Sequence, residues 1–545
     1  MKRAVGRVGA TLAAWAMLAA GTAMARDPEP PLRIPLEPMG YQAMVQEFLL
    51  AGSSMLTVDF ADKDHLLITF AVRRLMKREA DADPDDDDRT VGAFLVELPS
   101  GKVLARTEWR LHDHMQYLWN LGHGRFLLRV RDRLTLFAPL QAGTLGDPFQ
   151  QTPLVRMDRR IVAILVSSEH DLLTIESMKR QAGDPGGGPP QDPAPVQLDF
   201  YRLSDNGDLG AGKTANGLAV TPAGSIRTRM AVDLPMTAAG ILDVIEGGKD
   251  RWLFNFDELT GKVDELAEWD TTCFPRATFA GHAEFVAFGC RGSADKVAFA
   301  GFNLKGEQMW QQSFLDSFVS PMFAFAPAAG RFALGRTIVS STFDADFPLP
   351  ASAVTAQEVR VYQSYNGQQV FKIECSPVER AGQNFALSED GLRLAVVRET
   401  MVRHPATKDY EAYTAKETAV EVYALPALSD KDQAAVKAAE ALAPADSGVR
   451  IDLALERLSN PAAAGTAAAN EVGGTGAGGD ASAGAAAGGP QAGSGSRTEG
   501  GAGGGSSGGT ERPTVIEGDP DPDVPRKPPT LYGPGEKPPE KTTPQ

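Results

Sequence analysis

The sequence predicts an all-β fold, a β-propeller of about seven four-stranded blades followed by a short helix and a disordered C-terminal tail. Three observations predict it. A tight turn followed by a short apolar run recurs along the chain, a strand followed by a glycine-containing turn recurs in seven copies, and long helical periodicity is absent between residues 36 and 428. A blade buries its faces only against neighbouring blades, so copies of this kind must close radially.

The chain of 545 residues opens with Lys2, Arg3 and Arg7, an apolar stretch over residues 8–20, and Ala23-Met24-Ala25. This is the pattern of a secretory signal peptide over 1–25, cut after Ala25. A membrane anchor needs a longer apolar run of about 18 residues, and position 26 is Arg rather than the cysteine of a lipoprotein. The expected organisation is then a propeller over 26–428, a short helical extension over 429–459 and a tail over 460–545.

The formal charge of −16 becomes more negative once the leader's three cations are removed. An excess of this sign repels phosphates, which argues against general nucleic-acid binding and against adhesion to anionic lipid. Hydrophobic residues make up 43% of the chain, enough for a large core. Its three cysteines do not make a disulfide-dense scaffold.

Within the repeats, the segment "LRIPLEPMGYQ" (32–42) is expected to add a strand to the last blade and close the circle. The first recurring element appears as "FADKDHLLITF" (60–70), "NLGHGRFLLRV" (120–130), "FAGHAEFVAFG" (279–289), "FAPAAGRFALG" (325–335) and "LSEDGLRLAVV" (387–397). Each reads as two buried strands joined by a turn rich in Gly, Asp and His. The second element starts near 94, 133, 198, 252, 297, 359 and 420. These spacings of roughly 40 to 65 residues match a four-stranded blade with variable loops.

The acidic run "DADPDDDD" (81–88) lacks the Gly and terminal Glu of an EF-hand loop and reads as a solvated loop. In "CFPRATFAGHAEFVAFGC" (273–290), a hairpin with Gly281-His282 as its two-residue turn sets Phe279 opposite Glu284 and Cys273 opposite Cys290. Directly opposed residues of an antiparallel pair approach closely enough for a disulfide, and export supplies the oxidant. A Cys273–Cys290 bridge is therefore expected, provided no bulge shifts the register. Cys375 begins "CSP" as Cys273 begins "CFP", which puts it at the equivalent blade position without a partner.

Beyond the repeats, residues 429–442 read as a helix with Ser429 as N-cap, Asp432 three residues on and Pro444 ending it. From 460 the chain turns Gly/Ala/Ser-rich and then Pro-rich, a composition that cannot repay the entropy of ordering.

The repeats resemble WD40-like and quinoprotein-like β-propellers. "LSEDGLRLAVV" resembles the Ser-x-Asp-Gly turn of exported propellers found with the Tol system. "FNLKGEQMW" (302–310) is similar to the quinoprotein repeat in which a turn Gly precedes a Trp by four residues. Trp109 and Trp269 instead follow Gly101 and Gly261 by eight, and no two cysteines adjoin as they do in quinoprotein dehydrogenases. The resemblance implies a fold and carries no active site.

Candidate chemistry is sparse. His112 and His114 would share one strand face, but Asp113 points the other way and no third metal ligand follows. His123 belongs to the same His-rich stretch, "LHDHMQYLWNLGHG"; His65, His170, His282 and His404 are scattered, with His65 and His282 in hairpin turns. The insertion "GDPGGGPP" (183–190) lacks the Lys-Ser/Thr end of a phosphate loop. Trp252, Trp269 and Trp310 are expected to pack between blades. No catalytic, cofactor-binding or metal residue is therefore assigned, and no cofactor is expected. The reading is an exported, periplasmic or extracellular, non-enzymatic propeller that binds a protein or polymer partner. Its binding loops are expected where lengths vary most, at 81–89, 182–194 and 339–355. The alternative is an enzyme sited in the channel, a quinone-dependent oxidoreductase or a hydrolase or lyase.

Overall fold

Antiparallel pairing of neighbouring strands turns these repeats into seven four-stranded blades arranged as a propeller. The computed structural model describes residues 31–452 except 43–55, 73–88, 112–115, 131–132, 142–145, 158, 180–195, 205–212, 216–217, 229–235, 291–295, 316–320, 340–353, 376–383, 407 and 409–410. The expected leader, the acidic run, His112 and His114, the Gly-rich insertion and the tail lie outside the described residues.

Blades 1 to 6 occupy residues 57–111, 118–156, 160–228, 236–270, 276–315 and 322–375. Blade 7 takes three strands from 385–424 and its fourth from Leu32–Pro35. That N-terminal strand pairs Leu32 with Val422 and Ile34 with Val420, so the circle closes through the two ends of the repeat region as the sequence suggests. Blade 3 carries a fifth short strand, Lys213–Ala215, and in blade 4 the Met236–Ile241 bridge marks the innermost position.

The core is divided as radial closure demands. Seven clusters of buried apolar side chains each join two consecutive blades, and the last joins blade 7 back to blade 1. Inner strands are covered on both faces and read as unbroken apolar runs, such as "HLLITFA" over His65–Ala71. The outermost strand of the same blade, Val103–Leu111, alternates buried or half-buried with exposed positions along most of its length, because one face meets solvent.

The hairpin of blade 5 departs from the expected register. Phe279 faces Phe285 rather than Glu284, and Gly281 faces Glu284, with a bulge at Ala280. Blade 1 repeats this bulge at Ala61. Both alanines are buried, at 0% and 2% exposure, so the extra residue is a small one turned into the core. The Cys273–Cys290 disulfide forms despite the shift, with Cα atoms 5.3 Å apart. Cys273 precedes the strand Arg276–Gly281 and is not bound by its register. Thr272 N instead donates to Cys290 O at 2.9 Å and sets the two residues side by side. Cys375 ends the outer strand of blade 6, close to the place Cys273 holds just beyond the outer strand of blade 4.

The helix runs over Asp430–Glu440 behind its expected cap. Ser429 Oγ accepts from Asp432 N at 3.2 Å, and Asp432 Oδ2 accepts from Ser429 N at 2.8 Å, satisfying two backbone donors that the first turn leaves free.

Candidate functional site

In a four-stranded meander the first hairpin turn leaves one end of the blade, and the second connection and the link to the next blade leave the other. The seven first-hairpin turns therefore circle one mouth of the channel. They hold His65, His123, His170 and His282, four of the seven histidines in the chain. His123 and His170 occupy left-handed backbone, with φ of 51° and 56°, as tight turns require.

These turns tie blades together across their neighbours. His282 Nδ1 of blade 5 lies 2.7 Å from Glu169 Oε2 of blade 3. His123 of blade 2 pairs with Glu389 of blade 7, its Nδ1 3.6 Å from Oε2 and its backbone N–H donating to the same carboxylate. Arg331, only 1% exposed, donates from Nε to Gln363 Oε1 at 2.8 Å and from Nη1 to Gly391 O at 2.6 Å, joining blades 6 and 7. Glu284, next to His282, is buried and accepts from Ser364 Oγ of blade 6 at 2.6 Å.

Electrostatics follow from these contacts. The hydrogen bond to Glu169 raises the His282 pKa above its ordinary value, although partial burial opposes it. Burial raises the Glu284 pKa, although the hydrogen bond from Ser364 and the nearby His282 oppose it. Burial also pushes His170 down to about 4, so it stays neutral at ordinary pH.

The chain's own C-terminal segment lies over this mouth. Val436 of the helix packs on Gly330, whose φ is +55° and where an added Cβ would come within 2.9 Å of Val436 Cγ2. Tyr365 Oη donates to Asp432 Oδ1 at 3.0 Å, and Glu440 Oε1 stands 3.8 Å from His282 Nε2. Beyond the helix, Arg202 Nε meets Asp446 Oδ2 at 2.8 Å and Arg202 Nη2 donates to Val449 O at 2.7 Å. Ile451 is fully buried in the cluster between blades 3 and 4. Residues 425–452 thus form a strap from blade 7 across blades 6 and 5 to blade 3, anchored at Val436 and Ile451.

A second polar layer sits inside the ring between blades 1 and 2. Thr57 Oγ1, Thr69 Oγ1 and Tyr117 Oη are linked at 2.7 and 2.5 Å. Asp59 on the same inner strand is 6% exposed, and burial pushes its pKa up to about 8. Tyr117 is raised by burial as well. A protonated Asp59 avoids the cost of a buried charge.

Relatives give little further guidance. No protein-family model and no curated protein matches the chain. Similar solved structures include the acylaminoacyl peptidase of Pyrococcus horikoshii, 9% identical, covering 68% of this chain and 51% of that one with a TM-score of 0.38. A puromycin-hydrolyzing peptidase of Mycobacterium tuberculosis is 13% identical over 72% of this chain and 55% of its own, with a TM-score of 0.33. The chain spans about half the length of these two peptidases. Hsv2 of Kluyveromyces marxianus is 8% identical, covering 66% and 96% of the two chains with a TM-score of 0.31. Likeness at this level carries nothing about activity.

The residues singled out in the sequence divide by place. Cys273 and Cys290 are bonded at the end of the ring opposite the strap. Trp269 packs between blades 4 and 5 against Phe254 and Phe302, and Trp310 between blades 5 and 6, donating to Ser364 O at 2.6 Å. Trp252 instead stays on blade 4, edge-on to Phe274 and donating to Thr271 O at 3.0 Å, because it lies at the start of the strand Arg251–Glu258, at the rim. Glu169, Glu284, Glu440 and the strap were not read from sequence. The recurrence of histidine in first-hairpin turns was the one signal that could have found them. Among the described residues no group of three or more His, Cys, Asp or Glu is placed to hold a metal ion, and no helix is long and apolar enough to cross a membrane.

Proposed function

We propose that the chain is an exported, non-enzymatic propeller scaffold that binds a protein or polymer partner through the rim opposite the strap. One observation carries this reading: one mouth is covered by the protein's own C-terminal segment, while the three longest second connections leave the other end. They run from Ala71 to Arg89 in blade 1, Met178 to Val196 in blade 3 and Val339 to Val354 in blade 6. Long connections on a rigid ring are where binding surfaces are built. The disulfide and the pattern of residues 1–25 support export. The likeness to WD40-like or quinoprotein-like propellers is read from the repeats, and it is supported by Gly306, whose φ of +84° turns the chain so that Trp310 covers Gly301 and Gly367.

The Glu169–His282 pair has the form of a carboxylate-oriented base, yet His282 Nε2 faces the Glu440 carboxylate rather than a hydroxyl or thiol. Its chemistry is that of a tie. Photo-crosslinkers placed at positions 84, 187 and 346 should each give one discrete adduct in the exported fraction, and crosslinkers at the exposed outer-strand residues Leu104 and Val263 should not. Adducts from the outer strands alone would overturn the rim assignment. Native mass spectrometry tests the non-enzymatic part: a mass excess lost on denaturation would reveal a retained cofactor and sink it.

A further inference from the structure

We propose that His282 is a pH-operated latch that holds the C-terminal strap over the mouth formed by the first-hairpin turns. The imidazole stands where three separate elements meet. Blade 3 supplies Glu169 at 2.7 Å, the helix supplies Glu440 at 3.8 Å, and its own turn supplies Glu284 two residues on. Asp171 lies in the same blade 3 turn, held by Ser167 Oγ at 2.6 Å and Ala238 N at 3.0 Å. The basic groups nearby are committed or set back. Arg331 is spent on Gln363 and Gly391, and Lys437 sits one helical turn before Glu440. The protonated imidazole is thus the cation that lets carboxylates from blade 3, blade 5 and the helix share one place. It also stands against the last residue of the helix, where the helix dipole favours positive charge.

Deprotonation reverses both terms. Glu169 and Glu440 then repel across a neutral ring, and the helix loses the cation at its negative end. The sign follows from linkage. His282 is raised first by its hydrogen bond to Glu169, which belongs to the ring and persists when the strap leaves, and further by the Glu440 carboxylate that docking brings. The strap's share is therefore complete below the undocked value, already above that of an ordinary histidine, and is lost as pH rises through the still higher docked value. Acid closes the latch and alkali opens it. Val436 and Ile451 are apolar anchors without a titrating group, so opening starts between them, at the helix C-terminus.

This inference rests on the strap covering one mouth and is independent of what binds at the opposite rim. The test is amide hydrogen exchange of residues 430–452 in the full chain, corrected for intrinsic exchange, between about pH 6 and about pH 9. Wild type should lose several-fold protection in this segment across that range while strands such as Glu284–Cys290 hold theirs. His282→Gln keeps a hydrogen-bonding side chain without the charge, and its strap should exchange fast at both ends of the range. Glu440→Gln, on an exposed helix end, removes both the attraction to the charged ring and the repulsion from Glu169, so its strap should show no change with pH and a protection between the two extremes of wild type. Wild-type protection that does not change with pH, or His282→Gln retaining the wild-type pH dependence, would overturn the latch. Loss of the rim crosslinks would leave these exchange results untouched, so the two readings fail separately.

Discussion

The two ends of the ring solve opposite problems. At one end the first-hairpin turns are short, cross-tied by His282–Glu169 and His123–Glu389, and covered by the strap. At the other, the connections in blades 1, 3 and 6 are long, and a disulfide ties the blade 4–5 link to blade 5. A closed ring needs rigidity only once. Here polar ties and a strap hold one mouth, and the long connections leave from the opposite end.

The largest effect should come from the body that both ends share. Phe302, fully buried against Phe254, Phe285 and Trp269, joins blades 4 and 5. Phe302→Ala should cost about 3–5 kcal/mol in urea unfolding. A loss below about 1 kcal/mol would mean that blades unfold independently and that the comparison of ends has no common frame.

Removing the tie at the long-connection end comes next. Cys273→Ala with Cys290→Ala opens a loop of 17 residues' separation, worth about 3 kcal/mol by the chain-entropy relation. Thermal unfolding of the double variant should match that of reduced wild type. Rim crosslinks at positions 187 and 346, in the blades on either side of the disulfide-bearing pair, should weaken in step.

Asp59 lies inside the ring and sharpens the comparison by its pH profile. Its folded pKa of about 8 lies above the unfolded value, so its contribution falls as pH rises from about 4 to about 8. Asp59→Asn should remove that slope and stabilise the protein at neutral pH by on the order of 2 kcal/mol. Unfolding curves at several pH values check it; an unchanged slope would place a partner cation beside Asp59. His170, lowered to about 4, works in the other sense and loses its contribution as pH falls from about 6.5 to about 4.

The smallest effect belongs to the strap. Gly330→Ala adds a Cβ at positive φ against Val436 and should cost about 1 kcal/mol. Exchange should quicken in 430–452 with the ring strands unchanged. Uniform quickening across all blades would show that the strap is part of the cooperative ring rather than a cover upon it.

Much of the ring was legible because its signals are local. "LSEDG", "DELTG" and "NLKG" mark turns by residues whose backbone or side chain favours them, and Ser429 with Asp432 marks a helix start. The candidate site was not legible for the same reason inverted. His282 and Glu169 are 113 residues apart, and nothing in either turn names the other. Arg202 and Asp446 are further apart still, at 244 residues. The hairpin register failed by one position because a bulge at a small buried alanine leaves no mark that distinguishes it from a regular strand residue.

By itself, then, the sequence determined the number of blades, the closing strand and the helix with its cap, all set by turn chemistry, periodicity and spacing within one or two strands; it brought Cys273 and Cys290 near each other, but the register it implied for them was replaced by the Thr272–Cys290 contact. Only the tertiary structure decided which turns meet across the mouth, where the strap lies and which carboxylates surround His282. Those contacts exist because radial closure brings together side chains that are remote along the chain, and their strength depends on burial and distance that no local pattern encodes.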